Sequence, residues 1–233
     1  MQRNTTPFFV GGIAVLVLSL GSIIFTSQLG STDTDLTENI DVVSEKEEPK
    51  PSQDSEASDD ADIVRVYDAP PEMTINEYLK YEAILELPNG DVQIELFPLE
   101  APLYVNNFVS LARDQFFDGL TFHRVIPGFV AQTGDPTAGG FGSPGYNLDV
   151  ETNSILFDVG SLSMARDARG GVSGSQFFIT LGHTPHLDEG FTVFGRVVDG
   201  LELLHDLTPR DPAADDAITG DTIIGIEIIE SRY

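Results

Sequence analysis

Residues 81–97, with the sequence YEAILELPNGDVQIELF, constrain the fold more than any other stretch of this chain. They contain two runs of alternating apolar and polar side chains on either side of Pro-Asn-Gly-Asp. A strand with one buried face has this period of two, and Asn-Gly between two such runs is typical of a tight hairpin turn. The stretch therefore predicts a β-hairpin that packs one face on a core.

The residues after this hairpin predict two helices and many short strands. Residues 101–115 have Pro102 near their start and apolar side chains at helical spacing, and residues 199–207 predict a second, shorter helix. Most of the remaining chain consists of short apolar runs broken by glycine, such as GSLSMA, GSQFFITLG and FTVFGRVV, and the final strand lies in DTIIGIEIIE. Many short strands with two helices favour a closed or nearly closed antiparallel sheet.

The first 30 residues differ from this pattern because 18 of them, from Phe8 to Phe25, form an uncharged apolar run. About 20 such residues in a helix span the hydrocarbon layer of a membrane. We interpret residues 1–30 as an uncleaved membrane anchor. A cleaved signal peptide is the alternative, although no convincing cleavage site follows Phe25. Arg3 is expected to keep the short N-terminal end in the cytoplasm, so that the rest of the chain lies across the membrane.

Residues 31–62 contain twelve acidic residues, two lysines and no aromatic residue. Such a segment cannot bury enough apolar surface to offset the loss of chain entropy, so we interpret it as a disordered tether. An acidic recognition tail is the alternative. The folded domain is expected to span residues 81–233, and residues 63–80 form a margin that either packs on this domain or continues the linker.

Charge and cysteine content exclude several kinds of partner and site. The net charge of −26 argues against nucleic acid as a partner, because phosphate backbones would be repelled. The chain has no cysteine, which excludes disulfides, thiolate metal sites and cysteine nucleophiles. The glycine-rich residues 134–147 lack the ending of a phosphate-binding loop, and His183 and His186 have no third candidate ligand for zinc. We therefore expect no metal and no cofactor.

Five blocks of the chain follow one another in the order FHRVIPGFVAQTGD, GSLSMA, GSQFFIT, HLDEGFTVFGRVVDGLELL and IEIIE. Together these blocks resemble the cyclophilin family of peptidyl-prolyl isomerases. The resemblance covers residues 81–233. It implies a mainly β fold, a closed eight-stranded antiparallel barrel capped by two α-helices, and an enzyme that accelerates rotation about X-Pro bonds.

Arg124, in the first of these blocks, is the predicted catalytic residue. Rotation about an X-Pro bond is slow because conjugation holds the amide planar. A fixed donor aimed at the prolyl nitrogen favours the twisted state, in which that nitrogen regains its lone pair. A guanidinium stays charged and presents several donors in a rigid plane. The alternative for a lone arginine in an apolar stretch is a structural ion pair with a nearby acid.

The resemblance also implies a substrate site with an apolar slot for the proline ring and polar groups for the peptide backbone. The residues implied are Phe129, Val130, Gln132, Ala165, Gln176, Phe178, His186, Leu187 and Phe191.

Within this set, Phe129, Val130, Phe178 and Leu187 would form the slot, with Ala165 shaping the neighbouring groove. Gln132 would hydrogen-bond the substrate backbone, and Gln176 is a further polar position near the groove. The chain departs from well-known eukaryotic relatives at three positions of this set. His186 stands where they have a tryptophan, Phe191 stands where they have a histidine, and Val130 stands where methionine is frequent. We therefore expect activity with altered affinity.

The predicted partners are proline-containing polypeptides and, through the N-terminal helix, a membrane. The protein is expected to be a monomer whose catalytic domain is extracytoplasmic, in a periplasm, at a cell surface or in a thylakoid lumen. The alternative function is a membrane-tethered chaperone or assembly module that holds proline-containing segments with little catalysis, since the same groove would serve both.

Overall fold

The structure is a computed structural model that describes residues 65–167, 169–214 and 219–232. The predicted membrane anchor and acidic tether lie outside these ranges. Within them, no helix is both long enough and apolar enough to cross a membrane.

The described residues form nine strands and two α-helices, and a short 3-10 turn at Pro185–Leu187 precedes the eighth strand. In chain order the elements are β1 (Lys80–Leu87), β2 (Gly90–Leu96), α1 (Pro102–Arg113), β3 (Arg124–Ile126), β4 (Val130–Thr133), β5 (Asn147–Leu148), β6 (Ser161–Arg166), β7 (Val172–Thr180), β8 (Val193–Asp199), α2 (Leu201–His205) and β9 (Gly225–Ser231).

The first two strands form the predicted hairpin, and the side chains of β1 alternate between buried and partly exposed positions. Leu87 pairs with Gly90, so the two-residue loop is Pro88-Asn89 and Gly90 already belongs to β2. Gly90 has a φ of 137°, which glycine adopts far more readily than other residues. The hairpin is confirmed, with its turn one residue earlier than the Asn-Gly pair suggested.

Both predicted helices are present and both are shorter than predicted. The first begins at Pro102, where a missing backbone N–H costs nothing, and ends at Arg113. The second covers only Leu201–His205 and follows Gly200, which has a left-handed conformation with a φ of 79°. The helical spacing therefore located the helices but not their ends.

The sheet is antiparallel and has the order β3-β4-β7-β6-β8-β2-β1-β9, with β5 paired to β7 beside this path. The closed eight-stranded barrel implied by the resemblance is therefore wrong. The sheet has nine strands, and in the part of the chain described its end strands, β3 and β9, do not pair with each other.

The sheet stays open because, among the described residues, single bridges rather than a continuous strand cover the outer edge of the short strand β3. The strand β3 has three residues, and Val125 in its middle exchanges two main-chain hydrogen bonds with Arg210, at 2.7 and 3.0 Å. A second isolated bridge joins Thr121 to Thr222, ahead of β9. Residues outside the strands thus occupy the edge that a closed barrel would pair with a continuous strand.

Two neighbouring side chains of the central strand β7 lie in two different apolar clusters. Phe177 belongs to the larger cluster, where its ring packs edge-on against Phe108 at 5.2 Å and Phe117 at 5.4 Å. Phe178 belongs to a smaller cluster, whose other buried members are Val130, Phe157, Ala165, Leu187 and Val193. Successive side chains of a strand point to opposite faces, so β7 separates the main core from this smaller cluster.

Residues 65–79, which precede the family resemblance, contact the domain. Asn106 of α1 accepts a hydrogen bond from the backbone N–H of Thr74 at 2.8 Å and donates one to the carbonyl of Glu72 at 3.0 Å. Ile75 and Leu79 pack against the larger cluster. In the described part of the margin, the chain packs on the domain.

Candidate active site

A cavity of about 130 Å³ lies beside the smaller apolar cluster. It is lined by Arg124, Phe129, Val130, Gln132, Arg166, Phe178, Leu187 and Phe191. These residues come from four strands, from the turn between β3 and β4 and from the segment around the 3-10 turn, and all but Arg166 were predicted site residues. The fold thus brings together a set of side chains that are widely separated in sequence.

The apolar walls of the cavity are held by aromatic packing. Phe178 is buried, stacks on Phe157 with ring centroids 6.1 Å apart, and meets Phe191 edge-on at 5.4 Å. Leu187 is also buried, at the end of the 3-10 turn. Phe191 places an apolar ring in the lining of the cavity. The cavity therefore has walls that are mostly apolar and partly aromatic.

Arg124 is the first residue of β3, where it pairs with Gln132 of β4. Its side chain is half-buried, and the guanidinium carbon lies 5.7 Å from the centre of the Phe129 ring. Among the described residues, the guanidinium has no hydrogen-bond acceptor and no carboxylate partner. The structural ion pair considered for this arginine therefore has no candidate acid in this part of the chain. Its N–H donors are left for a ligand.

His123, the residue before Arg124, is 1% exposed. Burial lowers the pKa of its imidazole below the usual value; the charges of Arg210 and Arg124 act in the same direction, and that of Asp135 acts against them. The imidazole is therefore neutral near pH 7 and adds no positive charge beside Arg124.

Gln132 and Gln176 connect this cavity to a second one. The side-chain amide of Gln132 donates to the side-chain oxygen of Gln176 at 3.0 Å, and the amide of Gln176 donates to the carbonyl of Gly142 at 2.8 Å. Gln176 lines the second cavity, of about 560 Å³, together with much of the glycine-rich loop. The side-chain oxygen of Gln132 has no donor among the described residues, so it is available to a peptide N–H.

Three predicted residues lie outside the lining of the first cavity. Ala165 is buried in the cluster beside it, and Gln176 faces the second cavity. His186 is exposed and stacks on the Phe129 ring, with centroids 5.6 Å apart. These residues support the site or lie beside it.

Arg166 is the lining residue that the sequence analysis missed. It is the last residue of β6 and directly follows Ala165. The only signal in the sequence was this position at the end of a strand that carries a predicted site residue.

Comparison with known proteins identifies the family. The family model described as "Cyclophilin type peptidyl-prolyl cis-trans isomerase/CLD" matches residues 83–228, which is more than half of the chain. A peptidyl-prolyl cis-trans isomerase of Synechococcus elongatus is 43% identical over 148 residues, which cover 64% of this chain and 96% of the relative. Peptidyl-prolyl cis-trans isomerase B of Bacillus subtilis is 48% identical over 122 residues, which cover 52% of this chain and 85% of the relative.

A solved structure gives the same result. The crystal structure of a cyclophilin-type peptidyl-prolyl cis-trans isomerase from Cryptosporidium parvum matches with a TM-score of 0.58 and 32% identity, and the match covers 65% of this chain and 98% of that one. The structure of that protein in the presence of the dipeptide Ala-Pro matches with the same TM-score and identity. The family match, the relatives and the solved structures agree with one another, and this chain therefore belongs to the cyclophilin-type peptidyl-prolyl cis-trans isomerases and is an isomerase enzyme.

Proposed function

We propose that this isomerase binds proline-containing polypeptides at the 130 Å³ cavity and accelerates X-Pro rotation through a hydrogen bond from Arg124 to the prolyl nitrogen. The observation that carries the proposal is a half-buried guanidinium, without a partner among the described residues, at the edge of an apolar slot. A charged group that has lost part of its hydration and has no protein partner gains most from a ligand that accepts its hydrogen bonds.

The chemistry needs a donor that discriminates between two states of one amide. In the planar ground state the lone pair of the prolyl nitrogen is conjugated with the carbonyl, so the nitrogen is a poor acceptor. In the twisted transition state the lone pair becomes available and accepts the hydrogen bond of Arg124. Because the interaction is formed mainly in the transition state, it lowers the barrier without tightening substrate binding equally.

The cavity is suited to one side chain of a peptide. Typical pockets for drug-sized ligands measure roughly 300–1,000 Å³, well above the 130 Å³ found here. We propose that the proline ring lies between Phe178, Leu187 and Phe191 and that Gln132 bonds the peptide backbone. The Cryptosporidium parvum relative has been crystallised in the presence of Ala-Pro, which supports a site for proline-containing peptides.

The test is Arg124→Ala in the full-length chain, with the isomerisation of an X-Pro peptide followed by NMR exchange. Removing one donor that acts in the transition state is expected to cost ~2.7–4 kcal/mol, or roughly 10²–10³-fold in kcat/KM. Peptide affinity should change far less. Arg124→Lys should recover only part of the rate, because an ammonium keeps the charge but not the planar fork.

Isomerisation of the bound peptide at the wild-type rate in Arg124→Ala would assign the arginine a structural role. Wild-type protein that binds the peptide without accelerating exchange would favour the proline-binding chaperone.

We further propose that the chain is anchored in a membrane by residues 1–30, with its catalytic domain in an extracytoplasmic space. The support is the 18-residue uncharged apolar run, the single arginine before it and the acidic segment after it. Protease added to intact spheroplasts should release the domain by cleavage within residues 31–62. Protection of the domain until the membrane is lysed would reverse the orientation, and a mature N-terminus near residue 30 would replace the anchor by a cleaved signal.

A further inference from the structure

Arg166 places a second guanidinium at the cavity that Arg124 lines. From the end of β6 it reaches two neighbouring loops. Its Nε and one terminal nitrogen donate to the carbonyl of Gly190 at 2.9 and 2.6 Å, and the other terminal nitrogen donates to the carbonyl of Gly170 at 2.9 Å. Its guanidinium carbon also lies 5.6 Å from the centre of the Phe191 ring, so its position is well defined.

These contacts leave the charge of Arg166 without a counter-ion. A guanidinium has five N–H donors, and the three bonds described use three of them, all on neutral carbonyl groups. None of the described carboxylates forms an ion pair with Arg166, whereas Arg113 pairs with Glu230 at 3.0 Å.

On the two loops that Arg166 joins, Asp167 and Asp188 are engaged elsewhere, and the exposed Glu189 beside Gly190 forms no ion pair with any described residue. Asp167 accepts hydrogen bonds from the side chain of Asn147 at 2.7 Å and from the backbone N–H of Gly171 at 2.8 Å. Asp188 accepts the backbone N–H of Phe157 at 2.8 Å.

Two positive charges that form no ion pair with a described carboxylate therefore face one small cavity, in a chain whose net charge is −26. A proline ring is neutral and uses neither charge directly. The residues that flank the proline must pass the rim of the cavity, where a carboxylate would be attracted by Arg166 and an ammonium would be repelled.

We propose that Arg166 is a specificity-determining residue that favours substrates with Asp or Glu beside the proline over substrates with Lys or Arg there. The inference rests on the proposed function of the cavity. Since Arg166 is exposed, solvent screens its charge, and we expect a modest preference of about three- to five-fold in kcat/KM.

The test uses two sets of short peptides with the full-length chain. Within each set the peptides differ only in one residue, which is Glu, Ala or Lys, and this residue directly precedes the proline in one set and directly follows it in the other. The expected result is a Glu-to-Lys ratio of kcat/KM of about three or more in at least one set, falling towards one as salt is added.

Three variants test whether Arg166 causes the preference. Arg166→Gln keeps an amide donor for the carbonyl of Gly190 but removes the charge, so the ratio should fall to about one. Arg166→Lys keeps the charge, so the ratio should stay above one. Arg113→Gln is the matched control: it removes one positive charge on α1, which contributes no residue to the cavity lining, and the ratio should remain at the wild-type value.

A wild-type ratio near one in both sets, or a ratio that persists in Arg166→Gln, would overturn the inference and leave Arg166 as a clamp between loops. Absence of turnover with every peptide would instead contradict the proposed function. In that event the ratio of peptide Kd values, measured by NMR titration, still decides whether Arg166 selects acidic peptides.

Discussion

Phe177 and Phe178 are neighbours on β7 but belong to two different regions of the molecule. Phe177 is fully buried in the main core, where rings surround it at 5.2 to 5.4 Å. Phe178 lies in the smaller cluster and lines the cavity. One strand therefore contributes one face to the main core and the other to the cavity that we propose binds the substrate. The difference between the faces is that the core is filled by the chain itself, whereas the smaller cluster leaves space for a ligand.

The same contrast occurs where β3 begins. His123 is buried and holds its imidazole in the neutral form, while Arg124 faces the cavity and keeps its charge without a partner among the described residues. In each of these two pairs of neighbours, Phe177 with Phe178 and His123 with Arg124, one residue is buried and the other lines the cavity. The site is therefore built directly on strands that pack on the core. Packing on the core holds the side chains of these strands in place before substrate binds. A donor aimed at a transition state requires such preorganisation.

The largest expected effect is on the free energy of unfolding, and it concerns Phe177 on the core face of β7, the face that packs in the main core. Phe177→Ala should lower the free energy of unfolding by about 3–5 kcal/mol, because it removes a buried ring and leaves a cavity that the neighbouring rings cannot fill. Urea unfolding of the full-length chain, followed by circular dichroism, measures this loss. Phe177→Leu is the control and should cost clearly less. A loss below about 1 kcal/mol for Phe177→Ala would mean that the core face is not closed as described.

Phe178→Ala should affect binding more than stability, because the space it opens joins an existing cavity that water can enter. We expect peptide affinity to fall roughly ten-fold, which corresponds to losing about 1.4 kcal/mol of apolar contact. NMR titration gives the Kd, and urea unfolding gives the stability. If Phe178→Ala proved as destabilising as Phe177→Ala while peptide affinity stayed at the wild-type value, the distinction between the two faces would fail.

The smallest expected effect concerns pH and His123. The pKa of His123 is lower in the folded state than its ordinary value of 6.5. Below pH 6.5 the unfolded chain therefore takes up a proton that the folded chain refuses, so this contribution to stability is fully present above pH 6.5 and is lost as the pH falls below it.

The measurement for His123 is the free energy of unfolding between pH 5 and pH 8 for wild type and His123→Gln. Other groups also titrate, including Asp118, whose pKa is raised mainly by burial, so the difference between the two proteins is the informative quantity. The variant should lose less stability than wild type on going below pH 6.5. An equal loss in both proteins would show that the imidazole titrates normally in the folded state.

Much of the local structure could be predicted, since it depends on residues close together in the sequence. Alternating side chains identified the hairpin, and apolar side chains at helical spacing identified α1. The family motifs identified seven residues of the cavity lining because each motif contains its own site residues. The boundaries were less accurate: α2 covers five residues where nine were predicted.

The features that could not be predicted depend on contacts between distant segments. Nothing near Ala165 in the sequence indicates that Arg166 will reach the carbonyl of Gly190, 24 residues away. Nor does the composition of residues 65–79 reveal that Asn106 will bind their backbone.

The sequence by itself determined the first hairpin, the positions of the two helices, the exclusion of cysteine chemistry and the family. Only the tertiary structure decided that the sheet stays open, that Arg124 lacks an acid partner among the described residues and that a second arginine lines its cavity. The physical reason is the range of the interactions. Turns and periodic patterns act over a few residues, whereas the edge of β3 is covered by Arg210, which lies 85 positions from Val125 and meets it only once the chain has folded.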